Sequence, residues 1–220
     1  MQKYAIHEDG QVYYQCRFLR TKSFKSNLEA NGICRNEFAT NACNDNRLIS
    51  KTEKQQQQKQ PETSKKQIGL RQKLSLDNLM SDNAMISIYP LGKKYFCFYE
   101  SPFILQVDPV SLSTLDRVDL NKKLSIFSHA SHPHYDSNGD MLTLATKVGL
   151  FGPEYVIHKF AKEAKDTLSG GQAVARVRAR WLMEPGYMHS FAVTENYYIL
   201  IEQPLTVHAP TLASGESIIY

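Results

Sequence analysis

The chain is poor in the residues that mark several common protein classes. Its four cysteines, Cys16, Cys34, Cys43 and Cys97, lie far apart, and none forms the C-x-x-C spacing of a zinc knuckle. No apolar run approaches the ~20 residues that a membrane-spanning helix needs. The opening stretch "MQKYAIHEDG" lacks the apolar core of a secretory signal, so the expectation is reduced thiols in a cytoplasmic protein. Net charge is small as well. The net charge of +4 resides in residues 51–73, where seven Lys/Arg stand against Glu53 and Glu62 and leave the remainder near −1. That distribution gives no sign of a nucleic-acid partner.

What the chain does have is aromatic and apolar content suited to a folded core: 42% hydrophobic residues, with 12 Tyr and 10 Phe. Aromatic and β-branched residues favour strands. Residues 11–24 read as one or two strands after the turn "EDG", and residues 25–36 as a short helix ending near Gly32. From 80 onward short strands are expected at 84–92, 94–100, 102–108, 141–146, 154–161, 189–194 and 197–204, with "DPVSLSTLDRVDL" as a connection. Such spacing predicts an all-β sandwich, barrel or propeller, although no strict repeat is visible. Between them, "KTEKQQQQKQPETSKKQ" has no apolar periodicity and reads as a disordered insertion. The expected organisation is an N-terminal portion at 1–43, a polar low-complexity insertion at 44–79, and a β-rich portion at 80–220.

The chemistry-bearing stretch is "SHASHPHYDSNGD", residues 128–140, with His129, His132 and His134 close together. His129 reads as a loop residue. Imidazoles suit Fe, Cu, Zn and Ni, and Pro133 makes a strand end or bend at which neighbouring rings aim differently. A second candidate is "GYMHSFAVTEN", where His189 opens an alternating stretch 57 residues after His132. On successive propeller blades, two such histidines would meet at a common axis. A zinc hydrolase would want a carboxylate nearby; Asp136 is at hand, but "YDSNGD" reads more easily as a turn. Spacing alone leaves the metal open. Lone His7, His158 and His208 read as surface or satisfied strand residues.

The runs "DNAMISIYPLGKKYFCFYESPFILQVDPVSLSTLDRVDL", "SHASHPHYDSNGD" and "GYMHSFAVTENYYILIEQPL" together resemble the carotenoid cleavage oxygenase family. That family includes β-carotene oxygenases, insect carotenoid isomerooxygenases and retinoid isomerohydrolases. The resemblance implies a seven-bladed β-propeller, incomplete in this chain, with ferrous iron (Fe2+) on its axis held by four histidines. It places His132 and His189 as two metal ligands, leaves His134 as a structural neighbour, and puts Glu100 as the carboxylate behind a histidine. It implies O2-dependent cleavage of one double bond of a carotenoid or apocarotenoid polyene to retinal-type carbonyl products. Phe98, Tyr99 and Phe103 are expected either to line the substrate tunnel or to pack between blades. Retinoid isomerohydrolysis and a non-catalytic lipid-binding fragment are the alternatives.

Two departures from the family pattern stand out. No further histidine lies in a matching context after His189, so the chain is expected to be a fragment whose complete protein is the enzyme. The 44–79 segment is more polar than the membrane-facing stretch that relatives carry there. Peripheral membrane contact would then rest on its lysines.

Overall fold

The computed structural model describes residues 1–35, 76–149, 151–163, 168 and 170–208. The insertion expected at 44–79 therefore lies outside the described residues, except for 76–79. The described residues are mostly strands with few helices. Strands β1 (Gln2–Ile6) and β2 (Val12–Cys16) form a hairpin around the "HEDG" turn, so one strand precedes the turn that was expected to open the first strand. Helix α1 (Lys22–Ala30) starts earlier than the expected 25–36, and residues 22–24 are helical instead of extended. The cause is capping: the Thr21 hydroxyl accepts from the Phe24 N–H at 2.8 Å, and Asn31, at φ 51°, closes the helix in the left-handed region.

A second short helix, α2 (Leu76–Leu79), leads into a four-stranded antiparallel meander of β3 (Ser87–Leu91), β4 (Lys94–Phe98), β5 (Phe103–Val107) and β6 (Thr114–Asp119). The stretch expected to be only a connection thus contributes β6. Helix α3 (Leu120–Leu124) follows, capped by Asp119, whose carboxylate accepts from Lys122 N–H. A five-stranded sheet then assembles from β7 (Ser128–His129), β8 (His134–Tyr135), β9 (Met141–Gly149), β10 (Gly152–Phe160) and β11 (Gln172–Arg178). Strands β7 and β8 both pair with one edge of β9, while β10 and β11 extend the other side. Strand β11, "QAVARVR", escaped the reading because its small apolar residues give a weak alternation on an exposed outer strand. The 189–194 and 197–204 stretches shrink to a two-residue pair, β12 (Ala192–Val193) with β13 (Tyr198–Ile199).

Strand β9 is buried on both faces, which explains the unbroken apolar texture of "MLTLAT". On one face Met141 and Ala145 meet Phe96, Phe98 and Ile104 of the meander, with Leu120 and Leu124 of α3 between them. On the other face Leu142, Leu144, Tyr155 and Ile157 pack against Ala130, Met188 and Phe191. The meander, the five-stranded sheet and the 185–199 segment are thereby packed in sequence, and the loops between them converge. The N-terminal part is tied on by Asp82, which is 2% exposed. It accepts from the N–H groups of Lys22 and Ser23, from the Ser23 hydroxyl and from Arg117 Nε at 2.8 Å.

Candidate metal centre

Three local accidents of sequence build the site. Residues 128–135 run along one edge of β9, but Pro133 has no N–H to give to the ladder, so the chain leaves the sheet between β7 and β8. His132 sits in that excursion. The turn that follows is closed by Asp136, whose carboxylate accepts from the N–H groups of Asn138 and Asp140, with Gly139 at φ 80°. Asp136 and Asp140 both pair with the Lys159 ammonium, at 2.6 and 3.0 Å, so Asp136 is a turn residue and not a ligand at the histidines.

His189 lies in irregular backbone, not on the strand expected to begin there. The segment is fixed by Met188 and Phe191, buried in the core on either side of it, and by the Tyr187 N–H to Leu205 C=O bond of 2.8 Å. Gly186 seals the segment: its N–H donates to the Tyr155 hydroxyl, which in turn donates to Glu202 at 2.7 Å. Burial and the neighbouring Glu202 carboxylate push the Tyr155 phenol upward, which keeps it a donor.

Glu100 comes from the turn between β4 and β5. Its side chain is 3% exposed, and its Oε1 accepts from His189 Nδ1 at 2.6 Å. Oε1 also accepts from the Ser131 hydroxyl, whereas Oε2 is buried without a hydrogen-bond partner. Tyr187 lies against the same carboxylate; burial first, and then the charge of Glu100, push its phenol well above the ordinary tyrosine value. The carboxylate fixes the tautomer of His189. With the proton on Nδ1, the Nε2 lone pair points outward. It meets His132 Nε2 at 3.0 Å, with ring centroids 4.7 Å apart.

That separation suits a shared metal ion. Two imidazole nitrogens bound cis at about 2.1 Å stand about 3.0 Å apart, the diagonal of a right-angled pair. The donor set fits as well: neutral imidazoles, one backed by a buried carboxylate that offsets part of the charge of a cation. Among the described residues, no cluster of three or more His, Cys, Asp or Glu is arranged to hold a metal.

His134 is turned away from this pair. Its Nε2 donates to Phe191 C=O at 2.7 Å and its ring meets Phe191 edge-on, so it clamps the β8 strand to the His189 segment. His129 is not a loop residue. It is a fully buried member of β7, with Nδ1 on Ala130 C=O at 2.9 Å and Nε2 without a partner, and burial pushes its pKa down. His158 is buried in β10 with Nδ1 unpartnered, neither surface nor satisfied. Of the three aromatic candidates, Phe98 packs in the core against Tyr89 and the ring of His129, and Tyr99 packs with Cys97 and Leu105. Phe103 is covered by the Arg117 guanidinium at 3.8 Å. Sequence reasoning missed Ser131 and Tyr187, because a serine and a tyrosine carry no signal until the fold brings Glu100 beside them.

Comparisons with known proteins identify the relatives of this chain. The chain is 36% identical over 219 residues to a carotenoid isomerooxygenase of Galleria mellonella, covering 98% of this chain and 39% of that protein. It is 32% identical over 217 residues to the beta,beta-carotene 15,15'-dioxygenase of Gallus gallus, covering 94% and 38%. The chain thus spans about two fifths of the length of these relatives. Among solved structures, a variant of the Synechocystis apocarotenoid oxygenase superposes with TM-score 0.63 at 16% identity, over 97% of this chain and 40% of that one. The lignostilbene dioxygenase of Pseudomonas brassicacearum gives 0.60 at 17%, over 99% and 38%. These two likenesses show a shared fold. The family model described as Retinal pigment epithelial membrane protein matches residues 1–219, and the chain therefore belongs to the carotenoid oxygenase family.

Proposed function

We propose that this chain forms part of an iron(II)-dependent dioxygenase that cleaves one double bond of a carotenoid or apocarotenoid polyene to carbonyl products. The observation that carries the reading is the pair of Nε2 atoms 3.0 Å apart, one of them oriented by a buried carboxylate. His132 and His189 would hold the metal, and Glu100 would keep His189 in the ligating tautomer. Bound ferrous iron supplies the activation of O2 for insertion across the polyene bond. The chain's own part is to orient the ligands and exclude water: Glu100 is buried, as are Phe98, Tyr99 and Phe103 on either side of the β4–β5 turn. The names of the relatives support a polyene substrate, and the two packed antiparallel sheets support placement in a seven-bladed propeller.

No described helix is long and apolar enough to cross a membrane. For peripheral contact, the supporting feature is an exposed apolar group at the β9–β10 tip. Val148, Phe151, Leu182 and Met183 are open to solvent there, and Arg180 lies over Trp181 at 5.3 Å.

The test is metal content. Protein reconstituted with Fe2+ without oxygen, as this chain and as any longer product of the same locus, is desalted and analysed for iron. Stoichiometric iron in at least one product, lost in both His132→Ala and His189→Ala, supports the reading. Iron retained by either variant removes that histidine from the site, and no iron in any product removes the site altogether.

A further inference from the structure

Ser131 stands where the two halves of the proposed centre join. Its side chain is fully buried, and its hydroxyl donates to the same Glu100 oxygen that accepts from His189 Nδ1. Its backbone leads directly into His132. Its carbonyl is in turn held by the hydroxyl of Ser87 on β3. One residue thus reaches both rings: His132 through the next peptide, and His189 through Glu100. Glu100 Oε2 has no hydrogen-bond partner, and the Tyr187 phenol is the other polar group that lies against the carboxylate. The Ser131 hydroxyl engages Oε1, the same oxygen that meets His189.

We infer that Ser131 is a positioning residue that sets the mutual placement of His132 and His189 by orienting Glu100, with the Ser87 hydroxyl anchoring it to the neighbouring sheet. The relevance of this device to metal binding rests on the metal-centre reading above, but the chain of contacts itself does not. Without the hydroxyl, Glu100 can turn either oxygen, or neither, toward Nδ1. The imidazole then loses its fixed orientation toward His132. A buried carboxylate left with fewer donors also has a strong reason to move.

The experiment has a metal-free and a metal-loaded arm, both on the whole chain. In the metal-free arm, 15N-histidine-labelled protein reports the His189 Nδ1–H proton by NMR. Ser131→Ala is expected to move that resonance upfield and speed its exchange with water, whereas Ser131→Thr, which keeps the hydroxyl, restores it. In a Glu100→Gln background, Ser131→Ala should add nothing, since its effect runs through Glu100. In the other arm Co2+ is titrated as a spectroscopic probe, and Ser131→Ala is expected to weaken binding about fivefold, the worth of one hydrogen bond. An unchanged His189 resonance in folded Ser131→Ala, or an equal effect with Glu100→Gln present, overturns the inference. The expected NMR changes with no Co2+ binding by any form uphold the positioning chain and overturn the metal reading instead.

Discussion

Acid should unfold this chain through His158, and the size of the effect follows from the structure. His158 sits mid-strand in β10, directly across from Thr143 of β9, facing the meander. It is 2% exposed with Nδ1 unpartnered, and the Thr143 hydroxyl opposite is also buried without a partner. Burial above all, then the positive charges of Lys147 and Arg176, take its pKa from 6.5 to about 4. Glu154, four residues earlier on the same face of β10, lies across from Lys147, and His129 lies beyond Ala145. In the unfolded chain the imidazole takes its proton near pH 6.5, so between there and about pH 4 the unfolded state binds more protons and stability falls as pH falls. The full loss is about 2.5 times ~1.4 kcal/mol, roughly 3.5 kcal/mol, of which about 3 kcal/mol is in place at pH 4 and none above about pH 7. Urea unfolding followed by circular dichroism, at steps from about pH 7.5 to about pH 4, measures it. His158→Phe keeps a ring of similar bulk and should flatten the slope by most of that amount. His129 and the paired carboxylates titrate in both proteins and cancel in the difference. Equal slopes for wild type and His158→Phe would refute the argument, whatever the variant does to stability at neutral pH.

Other outcomes follow from single contacts. Glu100→Gln should weaken metal binding roughly 10–100-fold in a titration while leaving the circular dichroism spectrum unchanged, because the amide orients His189 more poorly than the carboxylate does. Arg117→Ala should cost about 2 kcal/mol in urea unfolding, since it removes a charged donor from the buried Asp82 and uncovers the ring of Phe103. Gly171→Ala would place a methyl 2.6 Å from Phe160 Cε1 and 3.1 Å from Leu124, both in the core, and should destabilise by about 1–3 kcal/mol. Cys97, whose thiol burial pushes up to about 11, should stay unmodified by iodoacetamide under native conditions while exposed Cys16 reacts, as mass spectrometry of the peptides would show.

The strands most legible in the sequence were those whose burial is simplest. "KYFCFYE", "PFILQVD" and "EYVIHKFA" carry dense apolar and aromatic residues, and β4, β5 and β10 lie almost where that texture puts them. Strands β6 and β11 were not legible as such. They are outer strands with polar, exposed faces, and only pairing with β5 and β10 makes them strands. Helix α1 depended on capping by Thr21 and by Asp82, sixty residues distant, which no local pattern displays. His189 read as the start of a strand because aromatic and polar residues alternate around it. The burial of Met188 and Phe191 in one cluster holds that backbone irregular instead.

The sequence by itself determined the β-rich class, the polar character of residues 51–73, and the three residues to watch, His132, His189 and Glu100. The first two are matters of composition and periodicity, and the third came from the resemblance of their motifs to a known family. Tertiary structure alone decided that Nε2 of His132 faces Nε2 of His189, that Glu100 is buried with one oxygen engaged, and that Ser131 and Tyr187 surround it. Tertiary structure also separated His134 and His129 from the pair, although they are near neighbours in sequence. The reason is physical: where an imidazole points, and which carboxylate orients it, depends on packing between sheets whose partners lie tens of residues apart, and no local stretch encodes that distance.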